Sequence, residues 1–313
     1  MDISKELHDL RKTIESCTSR LEVLENHHAQ KIISQQERDE PVQSLAAANP
    51  DFQKLKDLLN SPQWPHAVEP DLICDVASEE DKMERAEGVL SIVLDQSLNG
   101  SKFLDFGCGE GHMALQAKKE GATVSVGYDI REQFWDKPSP TEEGVTLTTD
   151  FEKVKEQGPY DVILLYDVLD HVDDQELVLE QIKQASSAGT EIFIRTHPWA
   201  GRHASHLYKK INKAFVHLVF TEEELDEMGF ELKEESKKPS NPALMPLHTY
   251  NELFKNKFKI ISHDIDRDPI EQFFKNNALV KSRIMNNFKG NNVGSFPNHQ
   301  MGQSFIDYKI KIS

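Results

Sequence analysis

The 313 residues predict an α/β chain, a doubly wound and mainly parallel seven-stranded sheet preceded by an N-terminal helical, coiled-coil extension. Three observations carry this. Short apolar runs alternate with helical stretches from residue 79 onward, a glycine-rich turn joins the first run to a helix, and an apolar seam of alternating four- and three-residue spacing marks the N-terminus.

The seam comprises Ile3, Leu7, Leu10, Ile14, Cys17, Leu21 and Leu24 and reaches His28. A helix over residues 1–33 with such a stripe wants a partner, either a second copy through residues 3–28 or the rest of its own chain. Residues 34–78 hold Pro41, Pro50, Pro62, Pro65 and Pro70 and read as a linker with one short helix near Phe52 to Leu59. The main domain, 79–313, opens with a helix over Glu79 to Leu98, a strand over Lys102 to Phe106, a helix from His112 to Glu120 closed by Gly121, and a strand over Thr123 to Asp129. Strands follow at Val145–Thr149, Asp161–Tyr166, Glu191–Thr196, Phe258–Asp264 and Phe305–Ile312, with helices near Gln175–Ser186 and Tyr250–Asn256. Two insertions, about 197–249 and 272–303, would rise on the side where a ligand enters. The part from Lys275 to Gln303 is rich in Asn, Gly and Gln and suits a mobile flap or a solvated loop.

Composition excludes several classes. No apolar run approaches the roughly 18 residues of a membrane span, and Met1-Asp2-Ile3-Ser4-Lys5-Glu6 lacks a secretory pattern. Three scattered cysteines, Cys17, Cys74 and Cys108, suit free thiols in a reducing, cytoplasmic setting. The net charge of −17 disfavours a protein that coats nucleic acid. That charge is uneven, −21 over residues 1–194 and +4 over 195–313, where Arg195–Phe220 and Gln272–Ile306 are free of acids.

The sharpest motif is Leu104-Asp105-Phe106-Gly107-Cys108-Gly109-Glu110-Gly111, at the handover from first strand to first helix. Glycine there lets the turn approach a ligand closely. A dinucleotide fingerprint would need glycine where His112 stands, and a phosphate-binding loop would need G-K-[ST] where the chain reads Gly111-His112-Met113. An acid before the turn suits a ligand with a cationic amino acid portion and would repel a pyrophosphate. Asp129 ends the second strand 18 residues beyond Gly111, where a carboxylate can accept both hydroxyls of a ribose.

These residues resemble the class I S-adenosylmethionine-dependent methyltransferase family, whose first motif is a strand followed by D-x-G-x-G-x-G. The resemblance implies a Rossmann-like fold, S-adenosyl-L-methionine as cofactor and methyl transfer to an O or N atom. It implies that Asp105, Gly107, Cys108, Gly109 and Gly111 wrap the methionine and ribose portions, with Asp129 and Ile130 on the ribose side. It further implies that Asp150 receives the adenine amino group and that Phe151 lies beside the ring, although these two also suit a helix N-cap and a core aromatic. Tyr166-Asp167-Val168-Leu169-Asp170-His171-Val172 resembles the family's fourth-strand motif, with Asp170 in place of its usual Glu. The likeness covers residues 85–200 well and the rest in outline.

Methyl transfer from a sulfonium asks the protein for positioning and, with a protonated acceptor, a base. His171 and His197 follow strand ends that face the cofactor and are the base candidates, while Asp167 and Tyr166 shape the methyl-transfer pocket. For His171 a helix-start histidine bonded to a backbone carbonyl is the plain alternative. Arg195, Trp199 and Arg202 open the first acid-free stretch as candidate substrate-binding residues, which points to a small or terminal anionic acceptor. His197, His203 and His206 lack a nearby Cys or carboxylate to complete a divalent site, so no metal is expected. Cys108 reads as a small filler. A nucleic acid acceptor is open but not favoured, because the fourth strand lacks the N-P-P-[YF] or D-P-P-[YF] exit of amino-directed DNA methyltransferases. A non-catalytic scaffold that acts through the coiled coil is the other alternative.

Overall fold

The computed structural model describes residues 50–68, 78–131, 144–172, 174–198, 201–202, 204, 207–230, 247–255, 257–267, 271–289 and 303–313. The coiled-coil seam, Trp199, His203 and His206 therefore lie outside the described residues. The chain divides into two units, Met1–Lys54 and Leu55–Ser313. Helix α1, Pro50–Leu59, spans the division, and within the first unit Lys54 Nζ lies 3.5 Å from Asp51 Oδ1.

In the second unit α2 (Glu79–Val93) leads to β1 (Lys102–Phe106), α3 (His112–Lys119), β2 (Val124–Tyr128), β3 (Val145–Thr148), α4 (Phe151–Gln157), β4 (Tyr160–Tyr166), α5 (Gln175–Ala185) and β5 (Ser186–Thr196). Short helices α6 (Val216–Val219) and α7 (Glu222–Glu227) follow, then α8 (Leu247–Lys255), β6 (Phe258–Arg267), α9 (Glu271–Asn276), α10 (Ala278–Lys289) and β7 (Gln303–Ile312). The seven strands form one sheet in the order β3-β2-β1-β4-β5-β7-β6. The first five strands run parallel, and β7 pairs antiparallel with both β5 and β6.

Alternation along the strands explains the layering, because neighbouring side chains point to opposite faces. Leu104, Ile163 and Ile192 join Val178, Ile182 and Phe254 under α5 and α8 on one face. Phe103, Val162 and Phe193 join Leu90, Leu94 and Ala117 under α2 and α3 on the other. With both faces covered, β4 reads as a nearly continuous apolar run. Where β1 and β4 part to their other neighbours, β2 and β5, the carboxyl edge opens into the crevice expected of such sheets.

Several boundaries differ from the sequence expectation. The proline-rich stretch before residue 69 is packed rather than a free linker: Trp64 is fully buried, donates from Nε1 to Ala214 O at 2.8 Å and stacks on Phe220. Pro62 lies in a turn, but the nearby Trp64 belongs to a core. The flap reading of 275–303 is corrected over its first half, where α10 buries Val280 and Ile284, an i, i+4 pair hidden among polar neighbours. Strand β5 starts five residues before the expected Glu191, with Thr190 buried and its Oγ1 donating to Tyr160 O at 2.5 Å. Among the described residues no helix is long and apolar enough to cross a membrane.

Candidate active site

The glycine turn between β1 and α3 is held against β2. Gly107 and Cys108 N–H groups both donate to Tyr128 O, at 2.7 and 3.0 Å. All three glycines have positive φ, +83°, +54° and +89° at 107, 109 and 111. Their reasons differ. A Cβ on Gly107 would overlap Val168 Cγ2 and lie 3.2 Å from its Cγ1, and one on Gly111 would meet Leu147 at 2.7 Å, whereas one on Gly109 would meet nothing within 4 Å.

Asp105 and Asp129 end up on the same edge because β1 and β2 are parallel neighbours in register. The Gly109 N–H donates to Asp129 Oδ2 at 3.0 Å, and Arg131 N–H donates to the other carboxylate oxygen at 3.0 Å. Asp105 is 2% exposed. Burial, with the Asp129 charge added, pushes its carboxyl up to about 7. Burial also pushes the Cys108 thiol far up, which disfavours its thiolate.

A cavity of about 460 Å³ opens at this turn. Asp105, Gly107, Cys108, Gly109, Tyr166 and Asp167 line it, which brings six of the expected site residues together. Asp150 caps α4, its Oδ1 accepting from Glu152 N at 3.0 Å, and the Phe151 ring meets Tyr128 edge-on at 5.7 Å, so the helix-cap and core-aromatic alternative describes both. Ile130 follows Asp129 and is 77% exposed.

Sequence reasoning missed the opposite wall, where α2 presents Lys82, Arg85 and Ala86 beside Met113 and His112 of α3. The signal was the i, i+3, i+4 spacing of 82, 85 and 86 on one helix face. Ser78 and Asp81 fix where α2 begins through a reciprocal capping box, with bonds of 3.1 and 2.9 Å. Glu79, Glu110 and His112 approach one another in a metal-like cluster, but the Lys82 ammonium already lies 2.5 Å from Glu110 and 3.0 Å from Glu79.

At the β4 and β5 exits, His197 Nε2 lies 2.9 Å from Asp167 Oδ1 and Nδ1 lies 2.9 Å from the Ser304 carbonyl oxygen. Both sides of the His197 ring therefore face acceptors, Nδ1 through a hydrogen bond and Nε2 through an ion-pair contact, which is the setting in which its expected role as a base has to be judged. His171 Nε2 is 3.5 Å from the buried Asp170 carboxylate, whose own pKa burial raises. The Arg195 guanidinium is bound bidentately to Asp307 at 2.7 and 2.6 Å and lies 3.8 Å from the centre of the Phe305 ring. Arg202 donates to His66 O at 2.6 Å. Lys213 donates to Ser61 O, and Arg283 pairs with Glu224. These four cations of the acid-free stretches are thus used inside the fold, which removes them as the support for an anionic acceptor.

Residues 80–256 match the family described as "Methyltransferase domain". Ubiquinone biosynthesis O-methyltransferase of Escherichia coli is 32% identical over 107 residues, which are 32% of this chain and 44% of that protein. The chain thus matches less than half the length of the curated relatives. Among solved structures, an S-adenosylmethionine-dependent methyltransferase from Mesorhizobium loti is 15% identical with a TM-score of 0.41, over 72% of this chain and 97% of that one. Coclaurine N-methyltransferase bound to N-methylheliamine and S-adenosylhomocysteine is 14% identical with a TM-score of 0.42, over 90% and 92%. The family match spans more than half of the chain and contains the glycine turn, both strand-end carboxylates and the cavity, and the chain belongs to the methyltransferase-domain family.

Proposed function

We propose that this chain binds S-adenosyl-L-methionine in the cavity beside Asp105 and transfers its methyl group to an O or N atom of a small or terminal acceptor. The observation that carries the reading is the pairing of a side-chain-free turn at Gly109 with buried carboxylates at 105 and 129 on one sheet edge.

The residues fit the cofactor. A cavity of about 460 Å³ is within the usual range for such ligands. Asp105 is a buried acid with no ion-pair partner among the described residues, and a ligand ammonium would stabilise its charge. Arg85, on the facing wall, suits the carboxylate of the same amino acid portion, so the two walls read a zwitterion. Asp129 and the neighbouring Ile130 are assigned to the ribose side, and Asp150 and Phe151, beside their roles as helix cap and core aromatic, to the adenine side. When bound, the cofactor supplies a methyl group on a positively charged sulfur, an already activated leaving group. Tyr166 and Asp167 border the place where acceptor and methyl meet, and α2 lines the same cavity with Lys82, Arg85 and Ala86.

The acceptor class follows from what surrounds it. The relatives' substrates do not transfer at this identity, and a nucleic acid acceptor loses four of the cations that favoured it, Arg195, Arg202, Lys213 and Arg283. Self-association through residues 3–28 remains the reading of the heptad seam. Titration calorimetry with S-adenosylhomocysteine tests the cofactor assignment: the expected result is one site per chain, and absence of binding refutes it. Radiolabelled cofactor incubated with fractionated cell extract then identifies the acceptor.

A further inference from the structure

The contacts of His197 decide its protonation. Its Nδ1 faces the Ser304 carbonyl oxygen and its Nε2 faces an Asp167 carboxylate oxygen, each at 2.9 Å. A carbonyl and a carboxylate only accept hydrogen bonds. Either neutral tautomer would set a nitrogen lone pair against one of those oxygens. The protonated ring suits both neighbours: Nδ1 donates to the Ser304 carbonyl, and the ring's charge lies beside Asp167 Oδ1, which Nε2 approaches as an ion pair without an aligned hydrogen bond.

We infer that His197 is a fixed imidazolium that positions Asp167, and that Asp167 is the catalytic base for an acceptor carrying an O–H or N–H group. The inference rests on the methyltransferase reading and deepens it. Asp167 lines the cavity and keeps its side chain 28% exposed, whereas His197 is 13% exposed behind it. Its backbone holds a left-handed φ of +57°, fixed by an N–H bond to Arg195 O at 3.0 Å. Such strain in a residue other than glycine persists only where the surroundings over-determine it.

The electrostatics agree. Burial pushes the His197 ring down, but Asp167, then Asp170 and the Ser304 carbonyl, bring it up to about 9. Burial pushes the Asp167 carboxyl up, yet His197, with Arg195 and His171, brings it below the usual carboxylate range. Tyr166 and Asp170 on the β4 side, Arg195 on β5 and the Phe305 ring on β7 complete the surroundings. A weakly basic carboxylate suffices here, because a hydroxyl oxygen becomes strongly acidic as its bond to carbon forms. In the step the acceptor's O–H or N–H bond breaks and its oxygen or nitrogen bonds the methyl carbon. The proton goes to Asp167 and then to solvent, and the electron pair of the broken carbon–sulfur bond stays on sulfur. A fully ionised phosphate or carboxylate oxygen would instead meet the Asp167 charge, so a hydroxyl or amine is the acceptor class.

The test uses the full chain with ¹⁵N-labelled histidine, with His197→Gln for assignment. Both His197 ring nitrogens should carry protons at neutral pH and titrate near 9. In Asp167→Asn the proton affinity of His197 should fall about ten- to a thousandfold. One unprotonated His197 nitrogen at neutral pH, or an unchanged titration in wild-type and variant, overturns the inference. Calorimetry with S-adenosylhomocysteine separates the two claims: absent binding refutes the cofactor reading, while binding with a neutral His197 refutes only this one. Once an acceptor is in hand, methyl transfer should be flat with pH from 6 to 8, whereas a rise that follows His197 deprotonation would make His197 the base and refute the assignment.

Discussion

Replacing Gly107 and Gly109 separately by alanine distinguishes a glycine required by the fold from one required by the ligand. At Gly107 the new methyl would overlap Val168 Cγ2, and the branched Val168 side chain has little rotamer freedom to move aside. A left-handed backbone costs a non-glycine residue about 1–2 kcal/mol. Overpacking adds about 1–3 kcal/mol. The expected loss for Gly107→Ala is therefore about 2–5 kcal/mol, by combining those two ranges. Gly109→Ala meets nothing within 4 Å and bears only the backbone cost, about 1–2 kcal/mol. Its methyl, however, enters the cavity, so its affinity for S-adenosylhomocysteine should fall at least tenfold. Urea denaturation of the ligand-free chains gives the first quantity and calorimetry the second. Equal destabilisation by the two variants, or wild-type affinity in Gly109→Ala, would refute this division of labour.

Asp105 should couple cofactor affinity to pH, because the neutral acid cannot balance an ammonium: affinity should rise towards about 7 and level off above it, and Asp105→Asn should flatten the profile in calorimetry. The sign for stability is opposite: a carboxyl raised from 3.8 to about 7 in the folded state costs stability as pH climbs through that window, at about 1.4 kcal/mol per pH unit. Ligand-free Asp105→Asn should therefore be more stable than wild type at pH 8, by up to about 4 kcal/mol in urea. Arg195→Ala breaks a largely buried bidentate pair between β5 and β7 and should cost about 3–5 kcal/mol with unchanged cofactor affinity; an undiminished urea midpoint would contradict the structural role. Removing residues 1–33 should lower the oligomeric state seen by light scattering, and an unchanged mass would leave the heptad seam to its own chain.

The sheet was legible because its strands announce themselves by composition. The buried run of β4 from Val162 to Leu165 is too short for a helix and is bounded by polar residues, and the glycine turn could only follow a strand. Asp105 and Asp129 were legible as candidate site residues because each puts a charge at the end of an apolar run, Asp105 one residue before the end of β1 and Asp129 directly after β2. The α2 wall was not. Lys82 and Arg85 are ordinary surface residues of a helix until tertiary packing brings that helix over the turn. Arg195 and Arg202 show the converse error, since a run without acids looks like a basic surface only while partners distant in sequence, Asp307 and the His66 carbonyl, are ignored.

Where unfavourable local features gather also argues for the site. Asp105 is buried without a neutralising cation among the described residues, Gly107, Gly109 and Asp167 take positive φ, and all of these line one cavity at the carboxyl edge of β1 and β4. Phe215 also has a positive φ, +60°, but it is buried among Phe274 and its neighbours at the start of α6 and borders no part of this cavity. Strain alone therefore does not mark function. A strained or poorly solvated group becomes informative when it also faces open space, because a ligand can then relieve what the fold leaves uncompensated. On the proposed reading Asp105 meets that condition for an ammonium and Asp167 for an acceptor proton, two acids at the ends of the neighbouring strands β1 and β4 whose pKa values are moved in opposite directions, one raised by burial and the other lowered by His197.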